Sequence, residues 1–153
     1  MSYLSDLMPG VLASLARQNM QATYRNDPVR WAEDVLGIQL WSAQKEMLYS
    51  IRDNHSTAVA AAHGVGKTFT AGVAITWWID VHPWNSRETF VATTAPSKDQ
   101  VDLIWSVVRD LIAVSHARFA EGLIDHPLPG YITGDNKWKL DNGDTLGQGR
   151  KPP

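Results

Sequence analysis

The sequence predicts an α/β fold: a mostly parallel β-sheet flanked by helices, followed by a C-terminal β-hairpin. Three features predict it. A small-apolar run, TAVAAA at 57–62, passes through a glycine-containing turn into an apolar helical stretch, the order in which a buried strand feeds a helix. A second unit follows, TFVATT at 89–94 and then a helical stripe from Val101 to Ile112, and repeated strand–helix order marks parallel βαβ packing with right-handed crossovers. Beyond a Gly- and Pro-rich loop at 126–134, Trp138 and Leu140 alternate with Lys137 and Lys139 ahead of Asp141-Asn142-Gly143-Asp144, which is hairpin chemistry with Thr145 and Leu146 opening the return strand.

Taken in chain order, residues 1–26 read as an N-terminal arm, a weakly amphipathic helix with a polar tail, and residues 27–153 as one further unit. Asp27-Pro28 supplies an N-cap and a proline in the first helical turn, and Gly37 supplies a stop, so a short helix is expected over 28–36 with Trp31 and Val35 on one face. A second helix over 42–52 presents Met47, Leu48 and Ile51 to the core. The stretch KTFTAGVAITWWIDV from Lys67 is apolar on most sides, as expected of a helix lying against a sheet and beneath other elements, and His82-Pro83 ends it. Ser97 and Gln100 have capping-box spacing for the next helix, whose buried stripe is Val101, Ile104, Trp105, Val108, Leu111 and Ile112. Trp77, Trp78, Trp84 and Trp105 fit a core better than a base-stacking platform, because three of them lie in or beside apolar helical runs.

Composition narrows the function classes. With 153 residues, 44% hydrophobic and 20% charged, the chain suits one globular domain, and a formal charge of -2 provides no global basic field for nucleic acid. The absence of cysteine excludes a disulfide framework, a thiolate zinc site and a cysteine nucleophile, and fits a reducing compartment such as cytoplasm. Asp6 and Pro9 interrupt the N-terminal apolar run and no basic segment precedes it, which argues against a secretory signal. No apolar run approaches the ~20 residues that span a bilayer.

The chemistry concentrates at AAHGVGKT, Ala61 to Thr68, which matches the phosphate-loop pattern G-x-x-x-x-G-K-[ST] except that Ala61 replaces the first glycine. A triphosphate needs a concave run of backbone N–H groups at a helix N-terminus, where orphan donors and the positive end of the helix dipole meet anionic oxygens. That assigns nucleotide binding to Ala62, His63, Gly64, Val65, Gly66, Lys67 and Thr68. Gly64 and Gly66 allow close approach, Lys67 places an ammonium on the β- and γ-phosphates, and the Thr68 hydroxyl is offered to Mg²⁺. The resulting fold expectation is a P-loop NTPase of RecA-like type. His63 either touches phosphate or points to solvent. Gln44, 23 residues before Lys67, either reads the adenine edge with Trp41 stacked on the base, or is an exposed helix-face amide beside a core tryptophan. Ser97 and Gln100 read as a helix cap, with nucleic-acid contact as the sharper alternative. Lys137, Lys139, Arg150 and Lys151 read as a solvated edge strand, with DNA contact as theirs.

Several motifs in this order, DPVRWAEDVLGIQLWSAQKEML, AAHGVGKT, TFVATTAPSKDQVDLIWSVVRDLI and the tryptophan-containing hairpin ending GQGRKP, resemble the large subunit of tailed-phage terminases from about Asp27 onward. The resemblance implies an ATPase that drives double-stranded DNA into a capsid, with ATP and Mg²⁺ as cofactors. It implies a terminase small subunit, a portal ring and further copies of the chain as partners, and a bacterial host's cytoplasm as location. It places adenine recognition on Gln44 and Trp41, triphosphate on Gly64, Gly66 and Lys67, and magnesium on Thr68. Two departures stand out. His63 occupies a position where many terminases carry arginine. No apolar strand ending in acidic residues follows the hairpin, so the Walker B aspartate and catalytic glutamate are expected beyond this chain, as is an acidic nuclease cluster. No catalytic residue is therefore assigned, the sheet is expected to be incomplete, and the chain alone is expected to hydrolyse ATP poorly. A helicase-like translocase and a non-catalytic nucleotide-binding module are the alternatives.

Overall fold

A computed structural model describes residues 2–60, 66–84 and 89–151. Among these the chain forms an α/β structure with five α-helices, one π turn and a four-stranded mixed sheet. The N-terminal arm is a single long helix, α1 (Ser2–Arg25). At its end Asp27 caps α2 (Pro28–Trp31), its carboxylate accepting from the Arg30 N–H at 3.0 Å. The helix continues as a π turn, Ala32–Leu36, that Gly37 terminates in left-handed conformation. Trp31 and Val35 are buried as their spacing predicts.

Helix α3 (Ser42–Asp53) buries Leu48 and half-buries Met47 and Ile51. Helix α4 (Lys67–Val81) is buried on most sides, as its composition predicts, but its surroundings differ from expectation. Its most extensive contacts are with α5 (Lys98–Ala120), then with α1 and α3, so helices rather than the sheet supply its apolar cover. Ser97 caps α5, its hydroxyl accepting from the Gln100 N–H at 3.3 Å. The expected stripe is buried at Val101, Trp105, Val108, Leu111 and Ile112, with Ile104 packed at its margin.

The sheet departs from the predicted mostly parallel arrangement. Its order is β1 (Val91–Thr94), β4 (Thr145–Arg150), β3 (Lys137–Lys139), β2 (Tyr131–Ile132); β1 and β4 are parallel and the other two pairs antiparallel. The return strand of the hairpin is thus also the partner of β1, with Val91 opposite Gly147 and Thr94 opposite Arg150. At Gly149 a Cβ would lie 2.5 Å from Trp105 Nε1 and 2.6 Å from a Val101 methyl. Only the missing side chain lets α5 lie this close to the strand.

The strand expected over 57–62 is not formed where it is described. Residues 57–60 have no regular secondary structure, are mostly exposed and lie outside the sheet, and 61–62 lie outside the described residues. Ala58 and Ala60 each offer only a methyl group, so this run gains from strand pairing only when neighbours cover both faces. The strand expected over 89–94 begins at Val91.

Two interior features anchor the helices. The last carbonyls of α4, which lack intrahelical donors, are met by α1: Gln21 Nε2 donates to the Asp80 and His82 carbonyls at 3.3 and 3.1 Å, and Arg25 donates to the Val81 carbonyl at 3.0 Å. The fully buried Asp80 carboxylate accepts from Trp31 Nε1 at 2.8 Å and bonds His126 Nε2 at 2.9 Å. Burial opposes charge on His126, and the hydrogen bond and charge of Asp80 more than offset it, so the imidazole titrates above its ordinary range. Arg17, stacked over the Trp84 ring, is lowered to about 10 by burial, with Asp80 opposing. Trp77 and Trp105 are buried and Trp78 and Trp84 pack against the core, as their positions in apolar runs predict. No helix among the described residues is long and apolar enough to cross a membrane.

Candidate functional site

The N-terminus of α4 is where the sequence places phosphate binding. Gly66 stands at the N-cap with φ 72° and ψ 34°, the left-handed region that lets the chain turn abruptly into a helix. Its carbonyl is held twice from the first turn, by the Thr70 N–H and by the Thr70 hydroxyl, both at 2.8 Å. First-turn N–H groups have no acceptor within their own helix, so those of Lys67, Thr68 and Phe69 are presented toward whatever precedes the helix. The first turn carries no acidic residue, which leaves the positive end of the dipole without a competing carboxylate on that turn. The Lys67 side chain is exposed and Thr68 is half-buried. Ala62, His63, Gly64 and Val65 lie outside the described residues.

Gln44 reaches the same turn from a distant part of the chain. It sits in the first turn of α3, where its Oε1 accepts from the Trp41 N–H at 3.0 Å. This bond fixes the amide so that its NH₂ end lies against Gly66: a Cβ added to Gly66 would stand 2.6 Å from Gln44 Nε2. Gln44 is 7% exposed whereas Trp41, at the N-cap of α3, is 61% exposed. That is the reverse of an exposed glutamine beside a core tryptophan. A donor-rich amide, a solvent-facing indole and the opening of α4 are thereby gathered into one region. Its elements are complementary to a nucleotide: backbone donors and an ammonium for the anionic tail, an aromatic face and an amide for a base.

The other sequence candidates lie elsewhere in the fold. Ser97 caps α5. Lys137 pairs with Asp135 at 3.1 Å, both side chains more than a third exposed, and Lys139 is half-buried on β3. Arg150 lies opposite Thr94 in the parallel pair. Among the described residues no group of three or more His, Cys, Asp or Glu side chains is arranged to hold a metal ion.

Sequence reading assigned no role to Asp80, which links α4, α2 through Trp31 and the loop holding His126. The signal was present, since an acid inside TWWIDV cannot be buried without partners. Compared with protein-family models, curated proteins and solved structures, the chain matches none.

Proposed function

We propose that this chain binds a nucleoside triphosphate at the N-terminus of α4, as the nucleotide-binding part of a P-loop motor of the terminase large-subunit type. The observation that carries the reading is the apposition of Gln44 and Gly66. Gly66, marked by the phosphate-loop motif, and Gln44, to which the resemblance gives adenine recognition, lie in contact at the opening of the helix. In this reading the amides that open α4 and Lys67 hold the triphosphate, Thr68 reaches its magnesium, and Gln44 and Trp41 face the base, ATP being the ligand the resemblance favours.

Binding and orientation are what these residues supply. The absence of an acidic residue from the first turn of α4 favours an anion there, and the bond from the Trp41 N–H holds Gln44 in one orientation before the ligand arrives, which lowers the ordering cost of binding. No residue of this chain is assigned the carboxylate that orients the attacking water. Hydrolysis, translocation of double-stranded DNA, and assembly with a small subunit, a portal ring and further copies in the host cytoplasm are accordingly proposals for the complete motor. A non-catalytic nucleotide-binding module is the second reading, favoured by the position of residues 57–60 outside the sheet.

Isothermal titration with ATP and Mg²⁺ tests the proposal. A charge-assisted hydrogen bond contributes about 1.5–3 kcal/mol, so Lys67→Ala should weaken binding by at least about tenfold. Gln44→Ala should narrow the preference for ATP over GTP. Equal affinity of wild type and Lys67→Ala would remove the assignment.

A further inference from the structure

Residues 3–16, the first part of α1, are all exposed, and their large apolar side chains, Tyr3 apart, concentrate on one side of the helix. Leu4, Leu7, Met8, Val11, Leu12 and Leu15 are each between 49% and 72% exposed. The helix docks on the body through other residues: Arg17, Met20 and Tyr24 are half-buried and Gln21 is buried. On a heptad in which Met8 and Leu15 are a and Leu4 and Val11 are d, the exposed residues fill a, d, e and g. The half-buried and buried docking residues fall at c, f and g, centred on the other side of the helix, and share g with the stripe; Arg25, which bonds the Val81 carbonyl, falls at d in the last turn. Pro9 and Gly10 fall at b and c, also off the seam. The apolar stripe therefore lies on a part of the helix that the body does not cover.

We propose that this stripe is a self-association surface, on which the α1 of one chain pairs with the α1 of a second copy. The two-residue alternation of three and four along Leu4, Met8, Val11 and Leu15 is a self-complementary coiled-coil seam. Charges at e and g ordinarily select a partner or an orientation; here those positions carry Leu12, Leu7, Ser5 and Ser14, and the only charged residue of 2–16 is Asp6 at f. Nothing along the seam repels an identical helix. The six side chains expose roughly 600 Å² per chain, so a pair would cover about 1,200 Å², the lower limit of a specific interface. Roughly 600 Å² per chain stands at the upper end of the largest apolar patch on an ordinary monomer, a size at which such patches are often functional. A lipid surface fits less well, because helices that lie on membranes carry Lys or Arg on the polar face and residues 2–16 carry none. This inference does not depend on nucleotide binding.

Sedimentation equilibrium of the full chain without nucleotide, over a wide concentration range, tests it. The wild type should move reversibly from monomer to dimer. Met8→Asp/Leu15→Asp should weaken dimerisation by more than about tenfold, since each aspartate would have to be buried in the seam. Its urea unfolding midpoint measured on dilute monomer should stay unchanged, because both positions are exposed. As a second measurement, a spin label on Val11→Cys in this cysteine-free chain should report an intermolecular distance within about 20 Å whichever way the helices run, because Val11 lies near the middle of the stripe. A wild type that stays monomeric, a double variant that dimerises as before, or a label with no short intermolecular distance would each overturn the proposal. So would a monomer that co-floats with phosphatidylcholine vesicles.

Discussion

Gly66→Ala probes the junction between α3 and α4. The substitution has two separable costs. Holding an L-residue at φ 72° costs about 1–2 kcal/mol, because the left-handed region brings Cβ against the following carbonyl. The new Cβ would also stand 2.6 Å from Gln44 Nε2, so the amide must swing aside and give up its bond to the Trp41 N–H, at about 1 kcal/mol net. The expected loss is therefore about 2–3 kcal/mol, read from urea unfolding by far-ultraviolet circular dichroism with an unchanged m value. In a Gln44→Ala background the second cost disappears and Gly66→Ala should cost only about 1–2 kcal/mol. The double-mutant cycle should thus close with a coupling of about 1 kcal/mol, and equal costs in the two backgrounds within about 0.3 kcal/mol would refute the contact.

Other outcomes follow from the interior. Asp80→Ala leaves the Trp31 indole N–H and the His126 imidazole without their acceptor in a fully buried site, and should cost about 3 kcal/mol in the same unfolding assay. His126 titrates above its unfolded value, so its contribution is complete below about pH 6.5, the unfolded value, and is lost as pH rises through the raised folded value. The stability difference between wild type and His126→Gln should accordingly shrink as pH rises above about 6.5; a constant or growing difference contradicts the pairing. Gly149→Ala forces a methyl group against Trp105 and Val101, and chemical denaturation should show a loss of about 1–3 kcal/mol.

What the sequence made legible was what is local. The Ser97 cap, the stripe of α5, the start of α2 at Asp27-Pro28 and the hairpin around Asn142 and Gly143 each depend on residues within a few positions of one another, and all are present. What it did not reveal depends on distant partners. At 57–60 the run has strand composition but, with Ala58 and Ala60 flanking a single valine, little apolar area to gain from joining the sheet. The parallel pairing of β1 with the hairpin's own return strand joins residues more than fifty apart, and nothing in either strand announces the other. The surroundings of α4 were misread for the same reason, since an apolar helix looks alike whether a sheet or other helices cover it. At the candidate site, the motif marked Gly66 through Thr68 locally. Gln44 had two open readings from its residues alone, and its burial against Gly66 comes from the α3–α4 packing that no short window of sequence contains.

The central claim is that the opening of α4 is a triphosphate site shared with Gln44. Its most direct test is an amide correlation spectrum of ¹⁵N-labelled protein titrated with ATP and Mg²⁺. The account predicts that the backbone amides of Gly66, Lys67 and Thr68 and the side-chain NH₂ of Gln44 shift together along one saturable curve, and that Lys67→Ala moves that curve at least about tenfold to higher ligand concentration. Saturable shifts confined to other parts of the chain, with these four groups unmoved, would contradict it.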